Sequence, residues 1–407
     1  MSVEVHIDWS GATHLVGHLH ESARGAAVSF VYAPTWLGRA DVFALDPTSL
    51  PLGAGPLHSP VLFGGILDCG PDRWGRVLIE RAVRKGILDR KPYQDLDYLL
   101  ALADTSRIGA LRFRRTADGP FLAAGPAPAP PRVRLAALLR ATDAIHGKTE
   151  TAADLRFLLG EGSPLGGARP KASVSLADGR LALAKFPKQD DIRDIAAGEI
   201  LALALAREAG LDVADHQLVK VGRRNVSVIT RFDREGDRRI PFISGASLVG
   251  LPPGAAGAYT LLADGIRQLG HDTASDLREL WGRLIFSLLA SNYDDHLRNH
   301  GFLMRASGRW ALSPAYDLNP VPEMERAQTP KTAITEDQGE PTIAAALDAS
   351  SRFGIKPSEA QAGLRRIHRT VSNWRNMGKR LRIDARTLAP YATAFEHSLM
   401  DEAGRLV

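Results

Sequence analysis

The chain has 407 residues, of which 44% are hydrophobic and 24% charged, with a formal net charge of +5. This length suffices for two or three domains, the composition is ordinary for a soluble protein, and no apolar run reaches the roughly 18 residues of a membrane helix. The single cysteine, Cys69, excludes an internal disulfide framework. With no signal-peptide pattern at the N-terminus, it favours a cytoplasmic location.

The first 125 residues predict a small α/β subdomain. Short runs at residues 3–7 and 27–32 are typical of strands, and GPDRWGRVLIERAVRKG predicts a helix that begins near Asp72 and stops at Gly86. The proline-rich residues 126–132 can continue neither a helix nor a central strand. They therefore predict a semi-rigid linker.

Residues 133–235 predict a second lobe, and residues 236–407 a mainly helical third region. In the second lobe, two predicted strands flank Asp178-Gly179, which is a strong signal for a two-residue hairpin. The expected helices and strands are helices 133–145, 151–159 and 194–209, strands 171–176, 181–186, 217–221 and 227–232, and a later hairpin of strands 301–304 and 310–312.

The segment SNYDDHLRN carries the strongest chemical pattern. Asp294 and Asn299 stand in the D-x-x-x-x-N spacing of a kinase catalytic loop, where the Asp takes up the acceptor hydroxyl's proton and the Asn holds magnesium. Asp317 lies 18 residues beyond Asn299, where such a fold places its second metal-binding carboxylate. His296 orients this loop, contacts phosphate or makes a structural hydrogen bond; the sequence leaves these alternatives open.

A lysine and a glutamate form a candidate ion pair. Lys185 ends the apolar strand LALAKFP, where its ammonium can neutralise nucleotide phosphates. Glu199 follows 14 residues later among apolar helix neighbours. Because a buried charge is costly unless it is paired, we expect Glu199 to pair with Lys185; two unrelated surface charges are the alternative.

A glycine loop precedes the Asp178-Gly179 hairpin. Residues 160–167 contain four glycines, which allow backbone N–H groups to approach phosphates; a flexible connection is the alternative. The candidate nucleotide contacts are Gly166, Gly167 and Ala168. Ser163 is either a phosphorylation site or an ordinary loop serine.

The strand VITRFD is expected to cross from one lobe to the other. The backbone of Thr230 and Phe232 can then hydrogen-bond the adenine edge. Asp233 either reaches the ribose or pairs with Arg231 or Arg234, and the two interpretations are equally favoured.

A basic stretch lies near the C-terminus. Residues 361–383 contain seven Lys or Arg residues and no Asp or Glu. The alternatives are a face for nucleic acid or an acidic protein and a solvated face of an amphipathic helix, with Leu364, Ile367, Val371 and Trp374 inward.

Taken together, these segments resemble the HipA family of bacterial toxin kinases. The ordered set is GSPLGGARPKASV, LALAKFP, GEILALALAREAGL, VITRFDR, SNYDDHLRN and LSPAYDLNP, with FGGILDCGPDRWGRVLIERA in the N-terminal part. The resemblance covers nearly the whole chain. It implies an α+β fold of the two-lobed protein-kinase-like type, with a small N-terminal α/β subdomain and a mainly helical C-lobe.

The resemblance also implies an activity and partners. It implies a serine/threonine kinase that uses ATP and Mg²⁺ and phosphorylates a protein such as an aminoacyl-tRNA synthetase. A HipB-like helix-turn-helix antitoxin would neutralise it, and DNA would be contacted only indirectly through that antitoxin. The implied roles are Asp294 as base, Asn299 and Asp317 as magnesium ligands, Lys185 at the phosphates, and Thr230 with Phe232 at adenine.

Two positions depart from the family pattern. Pro164 stands where the family's autophosphorylated serine falls, with Ser163 one place before it. Asp295 stands where the family often has a small residue, and it adds negative charge beside Asp294. We expect that charge to shift either metal affinity or acceptor preference.

Two other function classes are consistent with these motifs. Antibiotic phosphotransferases share D-x-x-x-x-N, so a small-molecule kinase is one alternative, although the N-terminal subdomain suits a protein partner better. A corepressor module that clamps an antitoxin on DNA, with weak or lost kinase activity, is the other; the intact set of Lys185, Asp294, Asn299 and Asp317 argues against loss.

Overall fold

The computed structural model describes residues 2–22, 27–122, 134–160, 169–337 and 340–407. The predicted linker at 126–132 lies outside them, as do four predicted site residues, Ser163, Gly166, Gly167 and Ala168. The chain divides into two compact units: one is Met1–Asp190 with Val219–Ile243, the other Asp191–Leu218 with Ser244–Val407. This division is discontinuous along the chain, and the domain boundaries inferred from the sequence stay predictions.

The first unit begins with a five-stranded antiparallel sheet in the order β4-β3-β2-β1-β5. Its strands are β1 (Ser2–Trp9), β2 (Ala12–Glu21), β3 (Val28–Tyr32), β4 (Leu57–Ser59) and β5 (Leu111–Arg114). In β3 buried and half-buried residues alternate, as expected for a strand with one face against a core. On β2 only glycine fits at Gly17, because a Cβ there would overlap the carbonyl oxygen of Val31.

Four α-helices lie between β3 and β5 along the described part of the chain. They are α1 (Pro34–Leu37), α2 (Gly64–Leu67), α3 (Arg73–Arg84) and α4 (Asp95–Leu100). The predicted start of α3 is confirmed, since the Asp72 side chain accepts a hydrogen bond from the backbone N–H of Gly75 at 3.0 Å. The predicted stop at Gly86 is also confirmed: its φ of 68° is a conformation that glycine adopts without strain.

A second sheet, in the order β6-β7-β9-β8, lies largely in the first unit. Its elements are α5 (Leu135–Gly147), α6 (Ala152–Gly160), β6 (Lys171–Ser175), β7 (Leu181–Lys185), β8 (His216–Val221, within this unit from Val219) and β9 (Arg224–Thr230). The predicted hairpin between β6 and β7 is confirmed, with Gly179 at a φ of 83°. Trp74 of α3 packs into the core of this sheet and donates its indole N–H to the carbonyl of Lys171.

The second unit is mainly helical. Its elements, in chain order, are α7 (Ile195–Glu208), α8 (Gly245–Leu248), β13 (Gly257–Ala258), α9 (Tyr259–Leu269), α10 (Thr273–Leu289), β14 (Gly301–Ala306), β15 (Arg309–Leu312), β16 (Thr332–Ala333), α11 (Ile343–Asp348), α12 (Pro357–Ser372), α13 (Trp374–Arg380), α14 (Ala385–Leu388), α15 (Ala392–Phe395) and α16 (Ser398–Leu406). The short strands β10 (Arg234–Glu235) and β11 (Arg238–Arg239) belong to the first unit, and β12 (Phe242–Ser244) lies at the boundary between the two units. None of the described helices has the length and apolarity needed to cross a membrane.

Helix α10 is the core of the second unit. It is buried along most of its length and packs against α9 and α12. The predicted inward residues Leu364, Ile367 and Val371 of α12 are buried, as expected for an amphipathic helix. The basic stretch is nevertheless two helices, since α12 ends at Ser372 and α13 begins at Trp374.

Candidate active site

The predicted catalytic loop connects α10 to β14. After α10 ends, Ser291 adopts a φ of 49°, which is uncommon for a residue with a side chain. The backbone N–H of Asn292 then bonds the carbonyl of Ser287 at 2.9 Å, and a 3-10 turn, Leu297–Asn299, leads into β14.

Asp294 and Asn299 lie in different surroundings within this loop. The Asp294 side chain is 60% exposed and forms an ion pair with Lys331. Asn299 is buried, and its amide nitrogen donates a hydrogen bond to the backbone carbonyl of Asp294 at 3.3 Å. Because the nitrogen is used in this way, the amide oxygen of Asn299 is the atom suited to a cation.

Asp317 follows the β14–β15 hairpin and is tied to the same loop. It adopts a φ of 58°, and its carboxylate accepts a hydrogen bond from the amide of Asn319 at 3.0 Å. The neighbouring Tyr316 donates its hydroxyl to the carbonyl of Arg298 at 2.8 Å. Asp294, Asn299 and Asp317 therefore lie in segments that one hydrogen-bond network connects within the second unit.

The stretch after Asp317, residues 318–334, runs along the catalytic loop; we call it the return segment. Three backbone groups of the loop accept bonds from it: Ser291 from Val321 N–H at 3.0 Å, Tyr293 from Lys331 N–H at 3.1 Å, and Asp295 from the Thr332 hydroxyl at 2.7 Å. The Ser291 hydroxyl in turn accepts a hydrogen bond from Arg326 at 2.6 Å. These bonds fix the return segment against the loop.

Asp295, next to the predicted base, points into the protein rather than toward solvent. It is 4% exposed, accepts a hydrogen bond from the Tyr259 hydroxyl, and lies 3.3 Å from a ring nitrogen of His300. Burial alone would raise the pKa of Asp295, but His300 and the donated hydrogen bonds outweigh it and hold the pKa below its usual range. The extra carboxylate therefore links the loop to Tyr259 and His300, and its expected effect on metal affinity or acceptor preference stays a prediction.

A cavity of about 170 Å³ lies behind the return segment. Its walls include apolar residues of α10, such as Leu284 and Leu288, while Asp295 and Lys331 contribute polar groups. His296, two residues beyond Asp294, is half-buried, and its Nδ1 makes no hydrogen bond with any other described residue. Its predicted roles stay predictions.

The predicted nucleotide residues Lys185 and Thr230 lie on adjacent strands of the first unit. Lys185 ends β7 and is half-buried; Thr230 ends β9 and is the register partner of Ala182 on β7. The N–H of Arg231 donates to the carbonyl of Leu181 at 2.9 Å, so the pairing continues past the end of β9. Phe232 follows, with its ring 6.4 Å from that of Phe242.

Asp233 lies in a buried cluster of ion pairs. The residue is 1% exposed, and its carboxylate accepts hydrogen bonds from Arg231 at 2.8 Å, Arg234 at 2.6 Å and the N–H of Gly109 at 2.7 Å. Burial alone would raise its pKa, but the two arginines outweigh it and hold the pKa far below its usual range. The expected ion pairs with Arg231 and Arg234 are present, and the ribose contact stays a prediction.

Glu199 lies in α7 and is 2% exposed, in keeping with its apolar neighbours in the sequence. It belongs to the second unit and Lys185 to the first, so their pairing stays a prediction. Within α7, only glycine fits at position 198, since a Cβ there would overlap the hydroxyl of Tyr391.

The sequence did not mark two residues that contact the predicted catalytic loop, Lys331 and Tyr259. Each reaches the catalytic loop from a distant part of the chain, 37 residues beyond Asp294 and 36 before Asp295. Neither belongs to a local motif, so no pattern in the sequence marks it.

Comparison with known families identifies the chain. The model of the HipA-like C-terminal domain matches residues 163–374, and that of the HipA N-terminal domain matches residues 8–114. The chain belongs to the HipA family. The resemblance seen in the motifs is thereby confirmed.

Curated relatives agree with this placement over part of their length. A protein of Haemophilus influenzae named "Putative kinase" is 30% identical over 156 residues, which are 34% of this chain and 46% of the relative. "Putative kinase Y4dM" of Sinorhizobium fredii is 31% identical over 164 residues, 36% of this chain and 39% of the relative. The matches thus span less than half the length of these relatives.

A solved structure shares the fold. It is the Shewanella oneidensis complex of HipA, HipB and operator DNA, which matches with a TM-score of 0.71 and 18% identity over 99% of this chain and 97% of that one. The predicted α+β, two-lobed kinase-like fold of the HipA type is confirmed.

Proposed function

We propose that this HipA family member is an ATP- and Mg²⁺-dependent serine/threonine protein kinase that acts as a toxin. The observation that carries the proposal is that one hydrogen-bonded network holds the segments of Asp294, Asn299 and Asp317, with the Asp294 carboxylate exposed. In phosphoryl transfer the protein contributes mainly position and charge. A rigid loop with one accessible carboxylate fits that task.

The donor set fits magnesium. Amide and carboxylate oxygens are the hard ligands that Mg²⁺ prefers, and the cation usually completes its shell with substrate phosphates and water. Asn299 and Asp317 would hold it, and when bound it would neutralise charge on the nucleotide phosphates. Lys185 at the end of β7 would contact those phosphates, and the backbone of Thr230 and Phe232 would contact adenine.

Asp294 would act on the acceptor. The acceptor's hydroxyl oxygen attacks the γ-phosphorus, the bond from that phosphorus to the β–γ bridging oxygen breaks, and ADP leaves with the electron pair. The hydroxyl proton passes to the Asp294 carboxylate. Its exposure suits this role, since a protein-borne hydroxyl must reach it.

The substrate and partner are part of the proposal. We propose a protein acceptor, of which an aminoacyl-tRNA synthetase is one example, and neutralisation by a HipB-like antitoxin through which the chain meets operator DNA. The Shewanella structure, in which HipA is assembled with HipB and DNA, supports the partner. A small helix-turn-helix protein encoded beside this chain would be the candidate, and co-purification after co-expression would test it.

The deciding experiment follows phosphate from labelled ATP. Purified protein is incubated with γ-labelled ATP and Mg²⁺, alone and with host lysate, beside Asp294→Gln. We expect a discrete labelled lysate protein that is absent with the variant, because loss of a general base lowers the rate about 10²- to 10⁴-fold, while ATP binding remains. Label on the chain itself would direct attention to Ser163. Equal labelling by wild type and Asp294→Gln would overturn the assignment.

A further inference from the structure

We infer that Lys331 is a further catalytic residue, which contacts both Asp294 and the phosphoryl group in transfer; this inference rests on the proposed function. Its ammonium forms an ion pair with the Asp294 carboxylate. The two side chains are 56% and 60% exposed, so the pair faces the solvent from which an acceptor arrives.

The position of Lys331 is set by its backbone. Its N–H bonds the carbonyl of Tyr293, the residue before Asp294, at 3.1 Å. The next residue, Thr332, is buried and bonds the carbonyl of Asp295 at 2.7 Å. Lys331 and Thr332 thus bond the two residues that flank the predicted base, and β16 begins directly after Lys331.

Stability does not account for this arrangement. An exposed lysine–carboxylate pair contributes only about 0–1 kcal/mol, because water screens it and two flexible side chains must be ordered. The buried bonds of Thr332 and the backbone bond of Lys331 would hold the return segment with any side chain at position 331. What lysine adds is a positive charge at the predicted base.

That charge fits the chemistry of the site. An ammonium has three donors, so one can remain on Asp294 while the others reach oxygens of the phosphoryl group. Charge on those oxygens is what a kinase must stabilise, and donors placed there before the reaction act most strongly. Lys331 also keeps Asp294 oriented toward the acceptor. The phosphates of bound nucleotide remain the task of Lys185.

A masking role for Lys331 predicts the opposite effect on the rate of phosphate transfer. If Lys331 only masked Asp294 until an acceptor displaced it, removing the ammonium would speed transfer. A purely structural role would lower thermal stability and leave the rate per folded molecule unchanged. The three roles are therefore distinguished by kinetics together with a melting measurement.

The test compares Lys331→Met and Lys331→Arg with Lys379→Met, which removes an exposed lysine from α13 of the same unit. We measure kcat and KM for labelled phosphate transfer, ATP affinity and the melting temperature of the full chain. For Lys331→Met we expect kcat to fall about 10²-fold with ATP affinity and melting temperature unchanged. Arginine should restore part of the rate, and Lys379→Met should behave as wild type.

A second measurement needs no protein acceptor. ADP, Mg²⁺ and aluminium fluoride together mimic the planar phosphoryl group, so the affinity of this mixture reports contacts made to it. We expect Lys331→Met to weaken it by about the same 10²-fold. An unchanged or increased kcat, or an unchanged affinity for the mimic, would overturn the role of Lys331. If wild type neither binds the mimic nor transfers phosphate, the proposed function itself fails, and the role of Lys331 with it.

Discussion

Asp233 in the first unit and Asp294 in the second are both acidic residues in segments that suggested nucleotide chemistry. Asp233 is buried and accepts bonds from two arginines and one backbone N–H. Asp294 is 60% exposed, and its ion pair is with a single lysine. The difference shows that the surroundings of a carboxylate decide its accessibility: buried donors surround Asp233, whereas Asp294 can be reached from solvent.

The largest effect on stability is expected at Asp233. Asp233→Asn leaves Arg231 and Arg234 without their charge partner inside the protein, which should lower the free energy of unfolding by about 3–5 kcal/mol. Chemical denaturation at pH 7 measures this loss. Phosphate transfer per folded molecule should stay near wild type, in contrast to Asp294→Gln.

The matched control for Asp233 is Asp178→Asn, which breaks an exposed pair with Arg180 in the same unit. No measurable loss of stability is expected there. A similarly small change for Asp233→Asn would show that the buried cluster does not stabilise the fold. The contrast drawn between Asp233 and Asp294 would then be wrong for Asp233.

Asp295 should combine both behaviours, because it is buried like Asp233 yet adjacent to Asp294. Asp295→Asn removes the charge that faces His300 and weakens the bond from Tyr259. We expect a loss of about 1–3 kcal/mol in the free energy of unfolding, together with a lower kcat as the loop loses its anchor. Denaturation and labelled transfer on the same preparation measure the two effects. A change in KM for ATP alone would favour the earlier expectation that this charge acts on the metal.

The smallest expected effect concerns pH. Burial raises the pKa of Asp276 in α10 to about 6, although the carboxylate accepts the N–H of Leu312 at 3.1 Å. The folded chain therefore binds this proton more tightly than the unfolded chain does. As pH rises from the pKa of Asp276 in the unfolded chain to its pKa of about 6 in the folded chain, the free energy of unfolding falls. Asp276→Asn keeps the acceptor and removes the charge.

This substitution should therefore stabilise the chain by about 1–2 kcal/mol at pH 7 and have no effect below about pH 4. Unfolding curves at several pH values check the prediction. A stability gain that is the same at every pH would mean that packing, not ionisation, is responsible.

Much of the local structure could be predicted from sequence. The Asp72 cap and the Asp178-Gly179 turn depend on residues within a few positions, and the structure has both where the pattern indicates. Long-range pairing could not be predicted. Asp233 bonds Gly109, 124 residues away, and whether a carboxylate is saturated in this way depends on the assembled fold.

The site divides along the same line. The D-x-x-x-x-N spacing is local, so it marked Asp294 and Asn299 without a structure. Lys331 and Tyr259 meet the loop only after α9, α10 and the return segment have packed. Because no sequence periodicity or motif connects Lys331 and Tyr259 with Asp294, only the three-dimensional structure reveals their contacts.

The return segment has a consequence for how this family can diverge. Its bonds from Val321 and Lys331 to the catalytic loop use main-chain N–H groups, which every residue except proline supplies. Outward side chains there, other than those of Arg326 and Lys331, can therefore be exchanged without loosening the loop. The bonds of Ser291, Thr332 and Asp295 instead involve their own side chains, so these residues cannot be exchanged freely. The surface of the return segment can thus vary while the main-chain bonds that fix it to the loop are kept.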